Sequence, residues 1–222
     1  PDNTLTNNIA AVCGAFGFWL AFTTQPWGES INVLHTDGLL LNPSRLLFGV
    51  FNNNTAHSCR NRGIMLDLVE SSNAGDVVGF QYQSTTNGRN PTWPFTTLRR
   101  FTVARSKVWK NGHNGFWDRA AWPTNYEFVS ADNIGRFFAG SGAEGVIERS
   151  LVIGTSLNHL MNGTDRPYTF AGEPGYSAFA TYHSAFDIRD NIIVNFPAIS
   201  NTNSGAFATD DYYIRPVEKG PV

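Results

Sequence analysis

Cysteine is scarce. The 222 residues hold only 2, Cys13 and Cys59. Two thiolates without further Cys or His at ligand spacing exclude a structural zinc site. Lysine is scarcer than arginine: 3 Lys (Lys107, Lys110, Lys219) stand against 13 Arg. The basic residues form no run, which excludes a nucleic-acid stripe, and the net charge is only −2. No stretch reaches the ~18 apolar residues of a membrane helix. The longest, AVCGAFGFWLAF, is short and holds two glycines. No basic region followed by an apolar run marks a signal peptide at the N-terminus. The opening PDNTLTNN already reads as strand and turn, so a segment of a longer polypeptide, or a mature form, is expected. No Ser/His/Asp order, Gly-rich phosphate loop or calcium-loop spacing appears, and no cofactor or metal is expected. Helical periodicity is almost absent.

What is present is turn chemistry and short apolar runs. Asn accounts for 22 residues and Gly for 21, both suited to turns and left-handed backbone. Between them lie RLLFGVF, GIMLDLV, RRFTVA, GRFFA, GVIERSLVIG and NIIVNF, each the size of a strand. The chain reads as all-β.

Internal repeats decide between sandwich and solenoid. Cys13 to Cys59 and Gly17 to Gly63 are both 46 residues. LTNNIAAVCGAFGFWLA matches FNNNTAHSCRNRGIMLD, and segments opening at Gly115 and Gly135 follow. The step between those two is 20 residues, close to one coil of a parallel β-helix. The chain is expected to be a single right-handed parallel β-helix over 1–222, with polar insertions at about 23–44 and 71–97. A β-sandwich is the alternative, and the glycine-aligned repeat argues against it.

Stacking predicts ladders. Trp19, Met65, Trp117 and Phe137 form one; Phe18, Ile64, Phe116 and Arg136 form the next. The first never carries a charge and is expected inside. These aromatics are read as core; an aromatic platform for sugar rings would need the second ladder exposed. Cys13 is placed directly over Cys59, with Asn111 and Ala131 following. A Cys13–Cys59 disulfide would contribute about 3–4 kcal/mol and imply an oxidising compartment; two buried thiols are the alternative. Two glycosylation sequons, at Asn53 and Asn162, agree with a secreted setting.

These segments, in the order NNIAAVCGAFGFWLA, LLFGVFNNNTAHSCRNRGIMLD, RRFTVARSKVWKNGHNGFW, ADNIGRFFAGSG and RSLVIGTS, resemble the parallel β-helix of the G8-domain and PbH1-repeat proteins. That family includes the cell-surface and secreted hyaluronidases and fibrocystin. The resemblance covers about Leu5 to Asn158, with an echo in SAFDIRDNIIVNF. It implies the fold and an extracellular, glycan-rich setting; the G8 domain itself does not occur in these 222 residues.

Chemistry is thin. Glycoside hydrolysis normally needs two carboxyl groups about 5–9.5 Å apart. Asp67 and Arg119 are expected as stacked neighbours, read as a cross-coil ion pair. Asp118 points to the other face with no obvious partner. His57, in TAHSC, is either a turn histidine bonded to the adjacent coil or a catalytic or substrate-binding group. His35, His113, His159 and His183 share no register. Asp210 and Asp211 are read as a solvated turn. Two functions are carried. One is an extracellular structural or recognition rod binding glycan or protein, as in a fibrocystin-like ectodomain. The other is the β-helix part of a hyaluronidase-like enzyme. The open ends of such a rod are expected to be capped by flanking chain or neighbouring subunits.

Overall fold

The computed structural model describes residues 3–26, 28–66, 69–70, 77–78, 82–89, 99–119, 123–140, 145–159, 176–181, 186–196 and 204–209. They build three parallel sheets of six strands each. The first coil is Asn3–Thr6, Ile9–Ala11 and Phe18–Leu20; the second is Gly49–Asn52, Thr55–His57 and Ile64–Leu66. Phe101–Ala104, Lys107–Trp109 and Phe116–Asp118 form the third, and Pro123–Tyr126, Val129–Ala131 and Phe138–Gly140 the fourth. Gly145–Glu148, Leu151–Ile153 and Tyr176–Thr181 form the fifth, then Phe186–Arg189, Ile192–Val194 and Ser204–Thr209 close the sixth. The fold is a right-handed parallel β-helix, as the repeat predicted.

The strands are short because the chain must turn twice between them. At two corners that turn is made by a residue in left-handed conformation. The first corner carries Asn7, Asn53, Arg105, Glu127, Arg149 and Asp190 there; the second carries Val12, Ser58, Lys110, Asp132 and Asn195. Only Asn and Asp tolerate this backbone readily, so the other residues are held by their surroundings. Arg105 Nε lies 2.7 Å from Glu127 Oε2, and Arg149 Nε 3.6 Å from Glu127 Oε1. The guanidiniums of Arg105 and Arg149 also face the Tyr126 ring, at 5.6 and 5.2 Å.

Buried asparagines staple successive coils inside the corners. Asn54 Nδ2 donates to Leu5 O at 2.7 Å, while its Oδ1 accepts from Asn8 N at 3.0 Å. At the second corner Asn111 N donates to Asn133 Oδ1 at 3.1 Å, and Cys59 N donates to Asn111 Oδ1 at 3.2 Å. These side chains satisfy backbone donors that the turning chain would otherwise leave unpaired in the interior.

Two expectations about register are corrected. Phe116 pairs with Phe138 and Gly115 N donates to Arg136 O, so this coil is 22 residues, not 20. The glycine that opens the fourth segment is displaced by two positions, because register follows the backbone ladder and the apolar column, not the turn residue. The column below the cysteines therefore continues to Asn133, not Ala131.

The second ladder, not the first, lines the core, although Met65 of the first is also fully buried. Phe18, Ile64, Phe116, Phe138 and Phe179 point into the core, whereas Trp19 is 39% exposed and Trp117 half-buried. The interior suits stacked phenyl rings: Phe116 and Phe138 meet edge to face at 5.5 Å. An indole there would bury an N–H in need of an acceptor. Phe137 does point inward, but in the column of Gly115.

The two polar stretches fall between the third strand of one coil and the first of the next, after Leu20 and after Leu66. Their described parts dock on each other. Tyr82 stacks on Phe22 at 4.1 Å, donates its hydroxyl to Leu46 O at 2.7 Å and accepts Phe48 N at 2.9 Å. Arg89 Nε donates to Asp37 Oδ2 at 2.9 Å. A third long connection, between Ile153 and Tyr176, has no counterpart in the glycine-aligned repeat of the sequence.

Candidate functional site

The middle sheet turns one row of side chains outward: Ala11, His57, Trp109, Ala131, Ile153 and Val194 pair in sequence from coil to coil. Within this row the His57 imidazole lies flat on the Trp109 indole, centroids 4.7 Å apart and planes 4° apart. His57 Nδ1 also lies 3.2 Å from Ser58 Oγ. Both rings are half-buried. The stack is bounded at each end by alanine, so the same column offers only a methyl group beyond each ring. Trp109 and Ile153 are two rungs apart, about 9.6 Å at the usual strand spacing. That leaves room over Ala131 for one saturated ring.

Charge surrounds the stack. Lys107 opens the strand of Trp109 and Lys110 follows it at the corner, with Lys107 exposed. Two of the 3 lysines of the chain therefore sit beside this pair of rings. The motif KVWK is visible in the sequence. Its partnership with His57 is not, because 52 residues separate His57 from Trp109 along the chain.

The other candidates are dispersed. Arg119 N donates to Leu66 O at 2.9 Å, and Asp67 lies outside the described residues. Asp118 is not without a partner: it points inward, fully buried, and accepts from Asn125 Nδ2 at 2.9 Å. Cys13 and Cys59 are stacked neighbours, with Arg60 N donating to Cys13 O at 2.9 Å. Both are free thiols in this structure. Burial pushes the Cys59 thiol up to about 11. Asn53 is exposed and donates from Nδ2 to Asn7 Oδ1 at 2.7 Å. His35 lies in the first insertion, 3.5 Å from Asp37 Oδ1; His113 is buried; His159 Nδ1 lies 2.8 Å from Ser156 O. Asn162, His183, Asp210 and Asp211 lie outside the described residues. Among the described residues no group of three or more His, Cys, Asp or Glu could hold a metal, and no helix is long and apolar enough to cross a membrane.

Three stacked parallel sheets with an ornamented outer face define a parallel β-helix. A family model described as the CEMIP beta-helix matches residues 1–64. A Dictyostelium discoideum protein is 28% identical over 227 residues, covering 90% of this chain and 20% of that protein. The Cell migration-inducing and hyaluronan-binding protein of Mus musculus is 26% identical over 172 residues, covering 71% of this chain and 12% of its own length. The chain thus spans a fifth or less of either relative.

Proposed function

We propose that this chain is the β-helix segment of an extracellular or cell-surface protein, a rod whose outer sheet face recognises glycans. The observation that carries this reading is the His57–Trp109 stack between Lys107 and Lys110. The C–H face of a pyranose covers an indole face well, and two ammonium groups favour a sugar bearing carboxylates. The likeness to a mouse protein named for hyaluronan binding supports the same ligand class. A stacked Cys13–Cys59 pair and the sequons at Asn53 and Asn162 fit the secretory pathway, with the pair closing to a disulfide there. In this reading the ends of the rod are capped by flanking chain or neighbouring subunits, as in a fibrocystin-like ectodomain.

The hyaluronidase-like reading needs an acid and a base. The described contacts of His57 are to Trp109 and Ser58, neither of which supplies a carboxylate, so recognition is favoured over cleavage. If Asp67→Asn leaves both cleavage and binding of hyaluronan unchanged, the Asp67–Arg119 pair is structural.

The test is calorimetric titration of hyaluronan oligosaccharides into the chain. Trp109→Ala is expected to weaken binding about tenfold or more, since a lost aromatic contact of ~1.4 kcal/mol is that factor. Affinity unchanged in both Trp109→Ala and His57→Ala would sink the proposal.

A further inference from the structure

The first insertion carries a short finger. Its two arms meet at an antiparallel bridge between Leu34 and Leu40. His35 N donates to Leu39 O at 2.7 Å and Leu41 N to Val33 O at 3.1 Å. Gly38, at φ 79°, closes the turn with nothing within 4 Å of its Cβ position. Side chains alternate across such paired arms, so Leu34 and Leu40 share one face while Val33 and Leu39 lie on the other. These four are exposed at 56%, 56%, 43% and 58%, and Ile31 precedes them at 49%. An element packed flat on the rod would have one face covered. This one is open on both.

Five half-exposed aliphatic side chains present a few hundred Å² of apolar surface, the size that marks an interaction site. That is short of the about 800 Å² that each partner buries in a stable protein interface. A flat protein surface would also reach one face of the finger and leave the other in water. A fluid apolar phase covers both.

The turn suits such a phase. Between Ile31 and Leu41 there is no Lys or Arg and a single carboxylate, Asp37. Arg89, from the second insertion, neutralises it: Nε donates to Asp37 Oδ2 at 2.9 Å and Nη2 to Oδ1. Arg89 Nη1 donates to Leu40 O at 2.9 Å, and Leu39 N donates to Asp37 Oδ1 at 3.0 Å. The charge of the tip and these backbone groups are met from within the chain, as apolar surroundings demand.

We propose that this finger anchors the rod to a lipid bilayer, with Leu34, Leu39 and Leu40 leading Ile31 and Val33 into its apolar edge. The contact is apolar and not electrostatic, so it needs no anionic lipid and tolerates salt. It lies in an insertion, apart from the sheet face of His57 and Trp109, and stands or falls independently of the glycan reading.

The test is flotation of the full chain with phosphatidylcholine vesicles at millimolar lipid, in about 0.1 M and about 1 M salt. The chain is expected to float with the vesicles equally well in both. Leu39→Asn and Leu40→Asn together should lower the partition coefficient about tenfold or more. Both side chains are exposed, so an unchanged urea melt is expected of this double variant. Arg89→Gln, which uncovers the charge of Asp37, should also weaken flotation, and Trp109→Ala should leave it unchanged. No flotation, or undiminished flotation of the double variant, overturns the proposal. Flotation that needs phosphatidylserine or is lost in high salt overturns it in favour of the basic residues. Self-association that the double variant abolishes, without vesicle binding, overturns it in favour of a second copy of the chain.

Discussion

The imidazole of His57 and the indole of Trp109 are parallel to within 4° at 4.7 Å, although they belong to different coils. Such a contact is worth about 0.5–1.5 kcal/mol beyond the area it covers. His57→Ala is expected to destabilise the fold by about that amount, and His57→Tyr to restore most of it. Urea denaturation of the three proteins measures both.

Cys59 lies beneath Cys13, and its thiol is raised from 9.0 to about 11 by burial. Thiolate is the species that alkylates, so two pH units cost about a hundredfold in reactive fraction. Iodoacetamide at mildly alkaline pH is expected to label Cys13 well before Cys59. Under glutathione redox buffer the stacked pair is expected to lose two hydrogens and close, the disulfide of the glutathione accepting the electrons. Peptide mapping detects the cross-link; persistence of two free thiols in oxidised buffer would refute the pairing.

Asn111 joins three coils: it donates to Asn133 Oδ1 from both its backbone and its side chain, while its Oδ1 accepts from Cys59 N. Asn111→Ala strands buried partners at about 1–3 kcal/mol each. A loss of at least 2 kcal/mol, roughly, is expected in urea melts.

Gly63 recurs as a landmark because a side chain does not fit there. A Cβ would lie 2.7 Å from Gly115 O and 2.7 Å from Asn111 Nδ2. Gly63→Ala is expected to destabilise by about 1–3 kcal/mol through overpacking, whereas Gly14→Ala, with nothing within 4 Å, should be tolerated.

Asp37 is held down at about 2, against 3.8 ordinarily, chiefly by its hydrogen bond from Arg89 and then by the Leu39 N–H. A depressed carboxyl contributes stability that is complete above pH 3.8 and disappears as pH falls through about 2. Carbon-detected titration of Asp37 should show the midpoint rising toward 3.8 in Arg89→Gln. An unmoved midpoint would mean that the two insertions do not dock through this pair.

The coil repeat was legible where it is literal. Cys13 and Cys59, Gly17 and Gly63, and Phe18 and Ile64 are 46 residues apart and do stack. The step from Phe116 is 22 residues and not the 20 between glycines, because the turn glycine slides two places along a corner without moving the strands. Freedom from charge is not by itself a sign of the inward face. Trp satisfies that sign equally well on an outer face, where Trp19 is 39% exposed.

The sequence by itself determined the class of fold, since strand-sized apolar runs between Asn- and Gly-rich turns, repeating in order, have few other ways to bury their apolar side chains. It also determined that insertions interrupt the coils. Only the tertiary structure decided which residues meet. Successive coils are one rung apart in space, but 46, 52, 22 or 41 residues apart in the chain. Contacts across rungs follow the constant spatial spacing, set by backbone hydrogen bonds, and the variable spacing along the chain conceals them.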